Sequence, residues 1–229
     1  MLQLMTAVST SSLEGSSLED TSREGTPDPR PEPSRRSRKK SRTHAALAEA
    51  GASLFASRGF DETTTNDIAE AADVSQRTLF RHFSSKEAVL YGDMDELILE
   101  LRDALAIRPA DEPVLVAVHN AITSLAENFE QHRDRRLLQA RLAASYPSVS
   151  AYSRATVQFG WEREIIAAVA SRLGVDPLVD PRPEIIAGAT MSAVRVATRQ
   201  WTVSRGAEDY MALISAALSS VKALGDLAA

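Results

Sequence analysis

The sequence predicts an all-α protein of about nine helices, and three observations carry that reading. From Thr43 onward apolar residues recur at three- and four-residue intervals to the end of the chain. No run alternates apolar and polar with the period of two that a half-buried strand requires. The helical stretches are punctuated by Pro109 and Pro113, Pro147, Gly174 with Pro177, Pro181 and Pro183, and Gly206.

The first helix is read from Leu47, Ala50, Leu54 and Phe55, which share one face, and Gly59 ends it as a left-handed cap residue would. A shorter helix follows Thr64, whose hydroxyl and Asp67 three residues on have capping-box spacing. Ile68, Ala69 and Ala72 form its inward face. Asp73-Val74 reads as a tight turn, since Asp enters the left-handed region more readily than most residues. Ser75 caps the next helix, with Leu79 and Phe83 inward, and Ser84 with Glu87 suggests a further capping box. Longer rods are predicted over 86–107, 112–132, 134–145, 147–173, 182–205 and 208–224.

Composition narrows the function. The chain has 229 residues, 44% apolar and 25% charged, as in ordinary globular proteins. It lacks cysteine, which excludes disulfides and thiolate metal sites. No apolar run reaches the ~18–20 residues of a membrane span, and Met1–Val8 lacks the basic start of a secretory signal, so a cytoplasmic location without membrane partners is expected. The net charge of −5 is unevenly spread: −4 over 1–34, +4 over 35–86 and −5 over 87–229. Phosphate attraction depends on the local face, so the basic middle segment is the one to follow.

Four regions are expected. Residues 1–34, rich in Ser, Thr, Glu, Pro and Gly, read as a disordered tail or as a start placed too far upstream. Residues 35–42 hold six basic side chains in eight positions and read as a phosphate-tracking arm. Residues 43–90 form a helix-turn-helix reader and 91–229 a second helical domain.

The helix after Ser75 exposes Gln76, Arg77, Thr78, Arg81 and His82. Arg and Gln can bond two atoms of a base edge at once, and such a helix reads bases with its first residues. Gln76, Arg77 and Thr78 are therefore expected to read sequence, while Arg81, His82 and Lys86 suit phosphates. The alternatives are a solvated amphipathic helix, or a helical adaptor for another protein. An enzyme is not expected: His44, His82, His119 and His132 are scattered, and metal-ligand spacing, nucleophile elbow and phosphate loop are all absent.

The stretch Arg42–Leu90 resembles the N-terminal domain of the TetR family of regulators. The resemblance rests on Leu54-Phe55, Arg58-Gly59-Phe60, Thr63-Thr64-Thr65, Ile68-Ala69, Ala71-Ala72, Val74-Ser75, Thr78 to Phe83, and Lys86-Glu87. It implies a homodimer on a palindromic operator, contacted by Arg42, Thr64, Thr65, Ser75, Gln76, Arg77, Thr78, Phe80, Arg81, His82 and Lys86. Phe80 stands where the family usually has Tyr, which removes a hydroxyl contact to phosphate, and Asp73 replaces the usual turn Gly. The resemblance also implies a repressor released by a small, largely apolar effector, with no cofactor and no metal. The stretch 103–109 is similar to relatives of the mycofactocin regulator, which points to an acyl thioester.

Aromatic and polar residues suited to an effector pocket are His119, Phe129, Tyr152, Phe159, Trp161, Met191, Arg195 and Trp201. Arg195, on an otherwise apolar face, reads as a buried cation that wants an anionic partner. Ile185, Ala189, Ser192, Leu213, Ile214, Ala217, Leu218 and Val221 on the last two helices are expected at a dimer interface.

Overall fold

Why the chain turns where it does is settled locally, by caps and by residues able to take positive φ. The computed structural model describes residues 35–226, so the expected tail at 1–34 lies outside the described residues. Twelve α-helices and one π-helical turn follow in order. They are α1 (Arg35–Arg58), α2 (Thr65–Ala71), α3 (Gln76–His82), α4 (Lys86–Leu90), α5 (Met94–Ala106) and α6 (Val114–Thr123). There follow α7 (Ala126–Gln131), α8 (Arg133–Ser145), α9 (Pro147–Tyr152), the π turn (Ser153–Gln158), α10 (Phe159–Leu173), α11 (Arg182–Val203) and α12 (Tyr210–Asp226). Among the described residues there is no strand.

The nine rods read from sequence appear as twelve α segments because three of them are interrupted. The rod over 86–107 breaks at Tyr91–Asp93, that over 112–132 breaks at Ser124-Leu125, and that over 147–173 carries the π turn. Apolar periodicity runs through each break, so periodicity alone does not reveal it. The basic stretch 35–42 takes helical form, as the first two turns of α1.

The first four helices pack around Leu47, Phe55, Phe60, Ile68, Leu79 and Phe83, all nearly inaccessible. Burying such a side chain contributes about 1.5–3 kcal/mol, so this cluster fixes α3 on its support. Gly51 lets α1 lie against α4: a Cβ there would sit 2.4 Å from Val89 Cγ1. The body that follows is built on α5, α6, α10, α11 and α12, with α11 and α12 making the most extensive helix pair. Both halves share one continuous core running through Val89, Leu90, Met94 and Leu97. The described residues 35–226 form a single compact unit.

Candidate nucleic-acid interface and effector cavity

The reader is assembled by three caps. Thr64 accepts from Asp67 N at 3.1 Å, and its own N–H donates to Asp67 Oδ2 at 2.8 Å, closing the capping box. Thr64 Oγ1 also donates to Asp67 Oδ2 at 2.6 Å, and this bond, then the one from Thr64 N, holds the Asp67 carboxyl below its ordinary range. Ser75 Oγ accepts from Thr78 N at 3.1 Å and starts α3. Asp73 takes the left-handed conformation at φ +52°, turning the chain between α2 and α3, while Gly59 at φ +92° ends α1. The third cap differs from the expected one: Ser85, not Ser84, accepts from Ala88 N.

The residues named from sequence divide into several groups. Arg42, Thr64, Ser75, Gln76, Arg77, Phe80 and Arg81 are exposed, and Thr65 and Thr78 half-buried. Gln76 Nε2 donates to Thr65 Oγ1 at 3.1 Å, tying the start of α3 to α2. Arg42 lies with Lys39 and Thr43 along a groove whose other wall is Ala72 and Val74 at the turn. Arg77 and Arg81 are exposed one turn apart on α3, and the basic side chains of α1 line a groove at the turn that leads into it.

Two of the named residues are tied into the fold. Lys86 is half-buried: Nζ donates to Phe60 O at 2.6 Å and sits 4.2 Å from the centre of the Phe60 ring. This locks α4 to the end of α1 and uses one of its three donors. His82 does not stand out from α3. It is half-buried 5.9 Å from the His44 ring, its Nδ1 is buried without a partner, and burial, then His44, Arg81 and Lys40, hold it below 6.5.

Behind the reader, a cavity of about 390 Å³ opens in the body between α5, α8, α10, α11 and α12. Phe129, Trp161, Met191, Arg195 and Trp201 line it together. Three of the residues expected there do not. His119 bonds Ser215 Oγ at 3.0 Å between α6 and α12. Tyr152 stacks on Tyr91 at 5.7 Å, and Phe159 is 68% exposed. Arg195 is exposed and bonds Ser192 Oγ, so it is no buried cation. The buried cation of the cavity is Arg136, 7% exposed, with Gln139 beside it. Neither was expected there from sequence, although Arg136, Gln139, Ala140 and Ala143 share one face of α8.

The last two helices need a similar correction. Ile214 and Leu218 are 2% and 6% exposed and belong to the chain's own core, not to an outer surface. Ala189, Ser192, Leu213, Ala217 and Val221 are half-buried, and Ile185 is 64% exposed. The open face runs instead through Ile185, Val196 and Val203 on α11, with Ala212, Ala216 and Ala223 exposed on α12. A Cβ on Gly188, in the same stripe, would meet nothing.

A short capped helix held across a second by a tight turn, with its first residues exposed, defines a helix-turn-helix protein. Residues 47–91 match the model of the bacterial regulatory proteins of the tetR family, and residues 112–224 match the MftR C-terminal domain. The HTH-type transcriptional regulator TcmR of Streptomyces glaucescens is 33% identical over 199 residues, 84% of this chain and 87% of TcmR. MftR of Mycobacterium tuberculosis, named for transcriptional regulation of mycofactocin biosynthesis, is 29% identical over 171 residues, 75% of this chain and 85% of MftR. The chain belongs to the TetR family, and is a transcriptional regulator rather than an enzyme.

Solved structures share the fold. FadR of Thermus thermophilus, a TetR-family repressor solved with lauroyl-CoA, superimposes with a TM-score of 0.52 at 24% identity over 78% of this chain and 92% of its own. FadR of Bacillus subtilis, solved with stearoyl-CoA, gives 0.56 at 13% identity over 78% of this chain and 97% of its own. No helix among the described residues is long and apolar enough to cross a membrane.

Proposed function

We propose that this chain is a repressor that grips a palindromic operator as a homodimer and lets go when a small, largely apolar effector, of the acyl-thioester class, enters the body. The observation that carries the reading is an exposed reader helix sharing one continuous core with a cavity walled mainly by apolar side chains. A site of that kind takes hydrocarbon, and a shared core lets occupancy at one end bias the other. Fold neighbours solved with acyl-CoA favour the thioester class.

Residues 43–90 then act as the DNA-binding part and 91–229 as the effector-binding and dimerising part. Gln76 and Arg77 read bases from the first turn of α3, with Thr78 beside them. Thr64, Thr65, Ser75, Phe80, Arg81 and Arg42 face the backbone, and Lys86 and His82 act mainly by holding the helices in place. A second copy covers the apolar stripe from Ile185 to Val203 on α11 and the alanines of α12. Two readers are needed for two half-sites about one helical turn apart. A protein working on chromosomal DNA acts in the cytoplasm.

The test is selection of bound duplexes from a random pool, followed by titration with lauroyl-CoA. The expected result is a palindromic consensus whose binding weakens as lauroyl-CoA is added. Arg77→Ala should relax preference at one position of each half-site by about 1–3 kcal/mol. Binding without sequence preference would overturn the reading.

A further inference from the structure

The cavity and the reader meet at one buried polar cluster. Arg136 lines the cavity, and its Nη1 lies 2.8 Å from Asp93 Oδ2 and 3.2 Å from Gln139 Oε1. Gln139 Nε2 donates to Leu90 O at 2.9 Å and to Asp93 Oδ1 at 3.1 Å. Leu90 is the last residue of α4 and Asp93 the residue before α5, so α8 clasps both sides of the break between them.

Asp93 stands at the N-cap of α5, where an Asp side chain ordinarily accepts from the first-turn N–H groups. It makes no such bond, and its carboxylate is turned to α8 instead. The neighbouring Arg135 bonds Glu49 on α1 and reaches to within 3.9 Å of Asp93 Oδ2. Adjacent arginines on α8 therefore touch the cavity on one side and the reader's first helix on the other, with Asp93 between them.

Arg136 is also incompletely satisfied. Its Nε is buried and has no acceptor, although a buried donor left unmade is costly. Guanidinium presents its five N–H donors in a planar fork, so an oxygen arriving at Arg136 would have to share or displace the contacts that Nη1 makes with Asp93 and Gln139.

We propose that the effector carries a carbonyl or carboxylate oxygen that bonds to Arg136, and that this contact competes with Asp93 for the guanidinium and loosens the α4–α5 break. Arg136 is then a positioning residue that reports cavity occupancy to the reader. The proposal rests on the cavity being the effector site, and it fixes which end of the ligand is recognised inside: the oxygen, not the hydrocarbon. Linkage supplies a strict requirement. If ligand and Asp93 compete for Arg136, removing the carboxylate must strengthen ligand binding and weaken operator binding together.

The experiment uses the full chain, the operator selected above, and two probes: lauroyl-CoA, and S-dodecyl-CoA, the same chain length without the carbonyl. Asp93→Asn should weaken ligand-free operator binding about tenfold and tighten lauroyl-CoA by a similar factor, a middling value for coupling between sites. Arg136→Met should bind both probes equally and lose release by lauroyl-CoA, while Arg136→Lys should retain part of the preference. Should Arg136→Met fail to fold, Asp93→Asn, a near-isosteric change, decides alone. Operator and lauroyl-CoA affinities unchanged in Asp93→Asn would overturn the proposal, as would an undiminished carbonyl preference in Arg136→Met. If wild type binds neither probe, the acyl-thioester reading falls. The ligand-free operator affinity of Asp93→Asn then decides: a weakening supports the Arg136–Asp93 coupling and no change overturns it.

Discussion

Gly51 sets the distance between α1 and α4, and with it the platform on which α3 stands. In Gly51→Ala the new Cβ would begin 2.4 Å from Val89 Cγ1, while Phe55 Cε2 at 3.5 Å is an ordinary contact. Val89 is 1% exposed, and a valine in a helix has essentially one rotamer, so it cannot swing away. The helices must part by about an ångström, which puts the cost near the upper end of the ~1–3 kcal/mol usual for overpacking. Alanine returns about 1 kcal/mol over glycine inside a helix. The net expectation is a loss of about 2 kcal/mol, or a melting midpoint lower by about 4–8 °C for a chain of this size. Urea unfolding of the four members of a double-mutant cycle with Val89→Ala tests the cause. With the Val89 methyls gone, Gly51→Ala should become stabilising by about 1 kcal/mol. If it stays as harmful in that background as in wild type, the close approach is not what constrains position 51.

Ser75→Ala removes the cap of a helix of only seven residues and should cost about 1 kcal/mol, seen as lower operator affinity and faster amide exchange in α3. Phe80 is 51% exposed, so Phe80→Tyr should add a phosphate contact worth about 0.5–1.5 kcal/mol, equal on all duplexes in a binding titration. His82 is favoured neutral in the fold, chiefly by burial. The unfolded chain therefore takes up its proton first, and stability from this site is complete above 6.5 and falls as pH drops from there towards the depressed folded value. Melting curves across that range should show His82→Gln losing less stability than wild type; equal losses would assign the pH dependence elsewhere.

What was legible in the sequence was what neighbours along the chain decide. Thr64 with Asp67, Asp73 and Ser75 act within three or four residues, so the helix-turn-helix and its exposed first turn can be read before any fold is known. The contacts of Lys86 and His82 inside the fold were not legible, because Phe60 O and the His44 ring lie 26 and 38 residues away. The same holds for the effector side. An arginine on a helix that carries four arginines gives no sign of which one will be buried against Asp93, 43 positions earlier, in a cavity wall.

The sequence alone determined the helical class, the Thr64 and Ser75 caps and the helix-turn-helix they frame, because hydrogen bonds and periodicity over one or two turns are local quantities. The tertiary structure decided which apolar faces turn inward. On α12, Ile214 and Leu218 went to the chain's own core while Ala212 and Ala216 stayed open, a choice that α12 alone cannot express because it is apolar on more than one side. It also decided that α8 clasps the α4–α5 break. Burial depends on what packs against a surface, and those partners come together only once the chain has folded.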